Sequence, residues 1–141
     1  MPLAVVIVPA ELREKHGAPQ SVGLENVLLE NIQIVMPGEG NPLYAYRGTS
    51  DEDLDGIPEM IDYYPEFSQW KELPAWGFFV RHADGVTFNN VTMRVEGADY
   101  RPAFVADDVH GLTLRNVQTV QKDAAGKEQI IVNKTSDYKT E

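Results

Sequence analysis

The sequence predicts an all-β fold of stacked strand–turn–strand units, and three observations predict it. The segment Trp76–Val91 falls on Pro102–Val117 at a shift of 26 residues with no gap. Apolar residues alternate at Phe78/Val80 and Phe104/Ala106, pause at a turn marked by Gly85 and Gly111, and resume at Val86/Phe88 and Leu112/Leu114. Further copies flank this pair: Val27–Ile32 falls on Val86–Val91 at a shift of 59, and Ile130–Asn133 falls on Phe104–Asp107 at another 26. Period-2 alternation marks strands with one buried face. Self-similarity at a period of roughly 20 to 50 residues marks repeats that bury their apolar faces only by stacking. The pattern gives three fuller units and one broken one.

Taken in order, the chain opens on Met1–Pro9, an apolar stretch that is short, lacks a basic flank and runs into Glu11, Arg13, Glu14 and Lys15. These features are expected of neither a signal peptide nor a membrane span. Val5–Val8 is predicted to be a buried strand, and Ala10–His16 one or two helical turns after Pro9, ended by Gly17. Residues 1–21 then form an N-terminal strand and helical cap, and residues 22–141 form the stacked units. The first unit reaches Met36, with Leu24, Val27, Leu29, Ile32 and Ile34 spaced for two short strands around Asn31, and Pro37-Gly38 closes it. An insertion, 37–74, follows in which alternation disappears. Its aromatics, Tyr44, Tyr46, Tyr63, Tyr64, Phe67 and Trp70, are too many for a disordered linker, so it is expected to be ordered and packed on the repeats, with a helical turn near Glu59–Tyr64.

A chain of 141 residues is about one domain. Its 12 basic and 22 acidic residues give a net charge of −10, which argues against nucleic acid or an anionic membrane as partner. The absence of cysteine excludes a disulfide framework and a thiolate metal site. Compartment stays open.

Asn31, Asn90 and Asn116 occupy the same place in each unit. Equivalent residues of neighbouring strands lie about 4.8 Å apart, so these side chains are expected to form a hydrogen-bonded structural ladder while also accepting the left-handed backbone of a turn. Arg81, Asp107 and Asn133 should likewise be neighbours and face outward, giving a surface pair worth a few tenths of a kcal/mol.

Several segments carry a family resemblance. Leu24–Ile32, Ile57-Pro58-Glu59, Tyr64-Pro65-Glu66, Leu73–His82 and Ala106–Leu112 resemble the C-terminal repeats of glycoside hydrolase family 28, the polygalacturonase-like pectin hydrolases. The resemblance covers about residues 22 to 121, and Leu73-Pro74-Ala75-Trp76-Gly77 is its most specific part. It implies a right-handed parallel β-helix of about three rungs plus a partial one, with the insertion as a long loop. It also implies inverting hydrolysis by separated aspartates with a nearby His and an Arg-Ile-Lys clamp. This chain has no Asn-Thr-Asp, Gly-His-Gly or Arg-Ile-Lys. Asp107-Asp108, the one adjacent Asp pair, follows its strand where the family's double aspartate precedes one, so a turn-capping role is the alternative to catalysis. His82, one repeat from Asp108, is the remaining acid/base candidate, with a structural hydrogen bond as the alternative; His16 and His110 have no evident partner.

Asp51, Asp53, Asp55 and Asp62 fit the twelve-position spacing of a calcium loop, opposed by Pro58 and by the lack of strong flanking helices. Tyr63, Tyr64 and Trp70 are candidates for stacking on sugar rings, or for sealing the insertion onto the repeats. The expectation is a non-catalytic C-terminal portion of a pectin-degrading hydrolase-like protein that needs no cofactor. A carbohydrate-binding module and a minimal active glycosidase are the alternatives. Pectic carbohydrate is the expected ligand, and a second copy pairing at an open end, or residues 1–17 capping it, is the expected cover. Family members are commonly exported, but an export signal is not evident here.

Overall fold

The structure, a computed structural model, describes residues 3–5, 24–38, 40–43, 46–58, 71–122 and 126–141. Its elements are β1 (Leu3–Val5), β2 (Leu24–Met36), α1 (Asp51–Asp55), β3 (Phe78–Val95), β4 (Phe104–Val120), β5 (Ile130–Asn133) and β6 (Ser136–Thr140). All six strands belong to one sheet and every pairing in it is parallel. Among the described residues the fold is therefore all-β apart from one short helix. β4 lies along one edge of β3, and β1 and β2 share the other; β5 and β6 share the far edge of β4.

Register follows the sequence repeat. Phe78 pairs with Phe104 and Phe104 with Ile130, while Val27 pairs with Val86. The last repeat continues past Asn133, since β6 pairs His110 with Ser136 and Leu112 with Tyr138. One other expectation shifts: β2 is one strand where two short ones are predicted. Of the N-terminal strand expected at Val5–Val8, Val5 lies in β1 and Val6, Ile7 and Val8 lie outside the described residues. The helix expected at Ala10–His16, the helical turn at 59–64, and Tyr44, Tyr63, Tyr64, Phe67, Trp70 and Asp62 lie outside the described residues.

Each long strand is bent at residues with positive φ, and these too recur in register. One row is His82, Asp108 and Lys134; a second is Asn26, Gly85, Gly111 and Asp137; a third is Asn31, Asn90 and Asn116. The pairing skips these positions, passing from Arg81↔Asp107 to Ala83↔Val109. Left-handed backbone costs most side chains about 1–2 kcal/mol, and glycine and asparagine the least. Two of the three rows are accordingly built mainly from Gly and Asn.

The bends bring distant residues of one strand together. Phe78 and Phe88 are ten residues apart in β3, about 33 Å in a straight strand. Their ring centroids nevertheless lie 5.1 Å apart, edge to face, and Phe88 makes the same contact with Phe104 at 5.1 Å. Trp76, Val80, Val86, Val91, Met93, Val109 and Leu112 are buried with them, each large apolar side chain contributing roughly 1.5–3 kcal/mol by leaving water. Val27, Leu29, Ile32, Ile34 and Met36 of β2 pack on this core and are only partly buried.

A second core lies on the opposite face of the first turns of β3 and β4. Phe79 and Val105 point away from the Phe88 core and are covered by Leu54, Ile57, Leu73 and Ala75, with Ile131 alongside. This explains the unbroken apolar run Phe78-Phe79-Val80, since a strand buried on both faces needs no alternation. The cover is held by α1. Ser50 caps the helix: its hydroxyl accepts the Asp53 N–H at 3.1 Å and donates to the Asp53 carboxylate at 2.7 Å. Asp51, Glu52 and Asp53 in the first turn suit the positive end of the helix. A helix of five residues is too short to be stable alone, and burial of Leu54 holds it in place.

Candidate functional site

One row of left-handed residues, His82, Asp108 and Lys134, consists of titratable side chains. His82 Nδ1 lies 2.7 Å from Asp108 Oδ2, and His110 Nε2 lies 3.2 Å from Asp108 Oδ1. His110 Nδ1 is in turn 3.0 Å from the Ser136 hydroxyl. Asp108 thus stands between two imidazoles, and a polar chain runs from β3 through β4 to β6. An ionised carboxylate only accepts hydrogen bonds, so the ring nitrogens facing Asp108 carry protons. His82 is buried, whereas His110 and Ser136 are exposed.

Arg81, Asp107 and Asn133 are neighbours in register, but they do not face solvent. Arg81 and Asp107 are buried and Asn133 is half-buried beneath the segment 46–58, which correlates with the second core. Arg81 donates from Nη1 to the Ile57 carbonyl at 3.0 Å and from Nη2 to the Pro58 carbonyl at 2.8 Å. Asn133 donates to the Thr49 carbonyl at 2.8 Å, and Lys134 pairs with Asp55 at 2.6 Å. The row therefore fastens the insertion to the sheet.

Asp107 is the exception within this row. Its Oδ1 is buried with no hydrogen-bond partner among the described residues. Burial pushes its carboxyl above the ordinary range and the Asp55 charge adds to the rise, against the opposing charges of Lys134, His82 and Arg81. Below about pH 3.9 the side chain is neutral both folded and unfolded. As pH rises from there through the raised folded value, the unfolded state loses its proton first and stability falls. Asp107→Asn removes that charge. It is expected to raise stability at pH 7 by on the order of 1 kcal/mol and to abolish this loss, which urea titrations between pH 3 and 7 would measure.

The other sequence candidates separate. Asp51, Asp53 and Asp55 lie on α1, where the Asp53 carboxylate is engaged by Ser50 and the Asp55 carboxylate by Lys134. No group of three carboxylates or imidazoles converges as a metal site among the described residues. Asn90 donates to Asn31 Oδ1 at 2.8 Å, and Asn116 donates to Asn90 Oδ1 at 3.0 Å.

Several polar groups have no counterpart in the sequence analysis. Asp99 and Arg101 form a buried two-point ion pair, with Nε to Oδ1 and Nη2 to Oδ2 both at 2.9 Å. Glu72 is buried and accepts the Asn41 N–H at 2.7 Å. Gln121 and Gln129 each hold buried amide atoms without partners among the described residues. The contact of His110 with Ser136 does carry a signal in the sequence, because these residues are one 26-residue repeat apart. Compared with known protein families, curated proteins and solved structures, the chain matches none of them.

Proposed function

We propose that this chain is part of a right-handed parallel β-helix of the polygalacturonase-like kind, and that it engages pectic carbohydrate without hydrolysing it. The observation that carries the proposal is the recurrence of three left-handed corner positions in register on neighbouring parallel strands. Three corners per repeat turn a strand through a closed circuit. The contact of Phe78 with Phe88 fits such closure, since an uncoiled strand would hold them far apart. Right-handedness follows from the strong preference of parallel crossovers for that hand.

The lack of hydrolysis rests on the surroundings of the two adjacent aspartates. Inverting glycosidases need two carboxyl groups about 6.5–9.5 Å apart in one groove, with water between them. Asp107 lies under the insertion, whereas Asp108 is held between His82 and His110. Both carboxylates are thus taken up by the protein itself, Asp107 by burial and Asp108 by its two imidazole partners. The test is reducing-sugar release from polygalacturonate and rhamnogalacturonan by the folded chain. No release is expected; release that disappears in Asp108→Asn would overturn the proposal.

A further inference from the structure

Two clefts adjoin on either side of Tyr100 and Lys127, in a part of the molecule separate from the His82–Asp108 chain. The first, about 460 Å³, lies between the segment preceding α1 and the segment leading into β5, with Tyr46, Ser50, Tyr100, Arg101, Lys127 and Gln129 in its wall. Its size is within the range of roughly 300–1,000 Å³ usual for small-ligand sites. The second, about 260 Å³, is lined by Gly40, Ala98, Asp99, Tyr100, Gln121 and Lys127. We propose that these clefts form one groove for a neutral disaccharide unit of a polysaccharide, each taking one pyranose ring. This deepens the carbohydrate role given above and rests on it.

The aromatic wall is the first argument. Tyr46 stacks on Tyr100 with ring centroids 5.6 Å apart and planes 17° from parallel, yet remains 68% exposed. Tyr100 is held from behind, its hydroxyl accepting the Arg47 N–H at 3.2 Å. The open face of Tyr46 is thus a fixed apolar platform, suited to the C–H face of a pyranose at small cost in entropy.

The amides are the second. Gln129 has both its Oε1 and its Nε2 buried and without partners among the described residues, and its own carbonyl, accepting from the Phe104 N–H at 2.9 Å, anchors its backbone. Gln121 donates through Nε2 to the Asp99 carbonyl at 3.0 Å and leaves Oε1 without a partner among the same residues. An orphaned buried polar atom costs about 1–3 kcal/mol. The terminal amide torsion is broad, so the Gln129 amide can turn into its cleft. There, acceptor and donor side by side match two neighbouring hydroxyls of a sugar. The first cleft therefore offers a donor and acceptor pair from Gln129, and the second a lone acceptor, Gln121 Oε1.

Charge selects a neutral sugar over a uronate. Arg47, Arg101 and Lys127 in the walls are balanced by Asp53, Asp99 and Glu128, and Arg101 is already committed to Asp99. The net charge of −10 further repels an acidic chain.

The experiment is a titration of the whole chain with galactose, galactobiose and digalacturonate, followed by ligand-observed NMR, with thermal melting to confirm the fold of each variant. Galactobiose is expected to bind at least about tenfold tighter than either of the others, a difference of about 1.4 kcal/mol. Tyr46→Ala and Gln129→Leu should each weaken it by a similar factor, while Gln121→Leu weakens galactobiose and spares galactose. Galactobiose binding that survives Tyr46→Ala and Gln129→Leu would remove this groove and leave the carbohydrate role intact. Preference for digalacturonate, or no binding of any of the three, would also overturn the groove. Turnover of polygalacturonate would instead remove the non-catalytic role, whatever the groove binds.

Discussion

Phe88→Ala is expected to lower the unfolding free energy by about 3–5 kcal/mol, a large part of what a domain of this size possesses. Phe88 is fully buried and touches both Phe78 and Phe104, each edge to face. Truncation loses the transfer energy of the ring and leaves a cavity beside two aromatic rings. The neighbours cannot easily collapse into it, because Phe78 and Phe104 are tied to each other through the β3–β4 ladder. Phe88→Leu keeps much of the volume and should cost less than half as much. Urea denaturation of the two variants would check the order, and equal losses would mean that the aromatic row is not the centre of the core.

That row is also the feature most legible in the sequence. The shift of 26 that places Phe78 on Phe104 is the register of β3 on β4, and the shift of 59 is the register of β2 on β3. A repeat is visible because every copy must satisfy the same neighbours above and below. The cover over Phe79 and Val105 is not repeated, and so it left no periodic signal. Alternation alone assigns Arg81 and Asp107 to solvent, since it assumes that one face of a strand is wet. Leu54, Ile57, Leu73 and Ala75 removed that face from water. Asp51-Glu52-Asp53 is ambiguous for another reason: acidic residues suit both an oxygen-ligand loop and the first turn of a helix. The preceding Ser50, three residues before Asp53, is the capping signal that distinguishes the helix. The clefts beside Tyr100 draw on three segments distant in sequence, and a chain read in one dimension cannot bring them together.

Arg101→Met is expected to destabilise the chain by about 3–5 kcal/mol at neutral pH, because it strands a charge. The Asp99 side chain is fully buried. Its carboxylate accepts from Arg101 Nε and Nη2, from the Arg101 backbone N–H at 2.9 Å and from the Gly40 N–H at 3.0 Å. Burial alone pushes this carboxyl upward, but the hydrogen bonds and charge of Arg101, with the Gly40 N–H, outweigh it and hold the group below its ordinary range. A carboxyl depressed on folding contributes stability that is present above its unfolded value of about 3.9 and is lost as pH falls through the lower folded value. Without the guanidinium, burial wins and Asp99 protonates more easily. The deficit of Arg101→Met should therefore be widest near neutrality and narrow as pH falls toward about 4. Asp99→Asn in the Arg101→Met background removes the uncompensated charge and should recover more than half of the loss. Denaturant titrations at pH 4 and 7 on the parent and both variants would decide it: a deficit independent of pH, with no recovery by Asp99→Asn, would assign the effect to lost packing of the Arg101 stem and its bond to the Leu73 carbonyl. Because Asp99 lines one cleft and Arg101 the other, the same variants should also loosen the wall between the two proposed sugar positions.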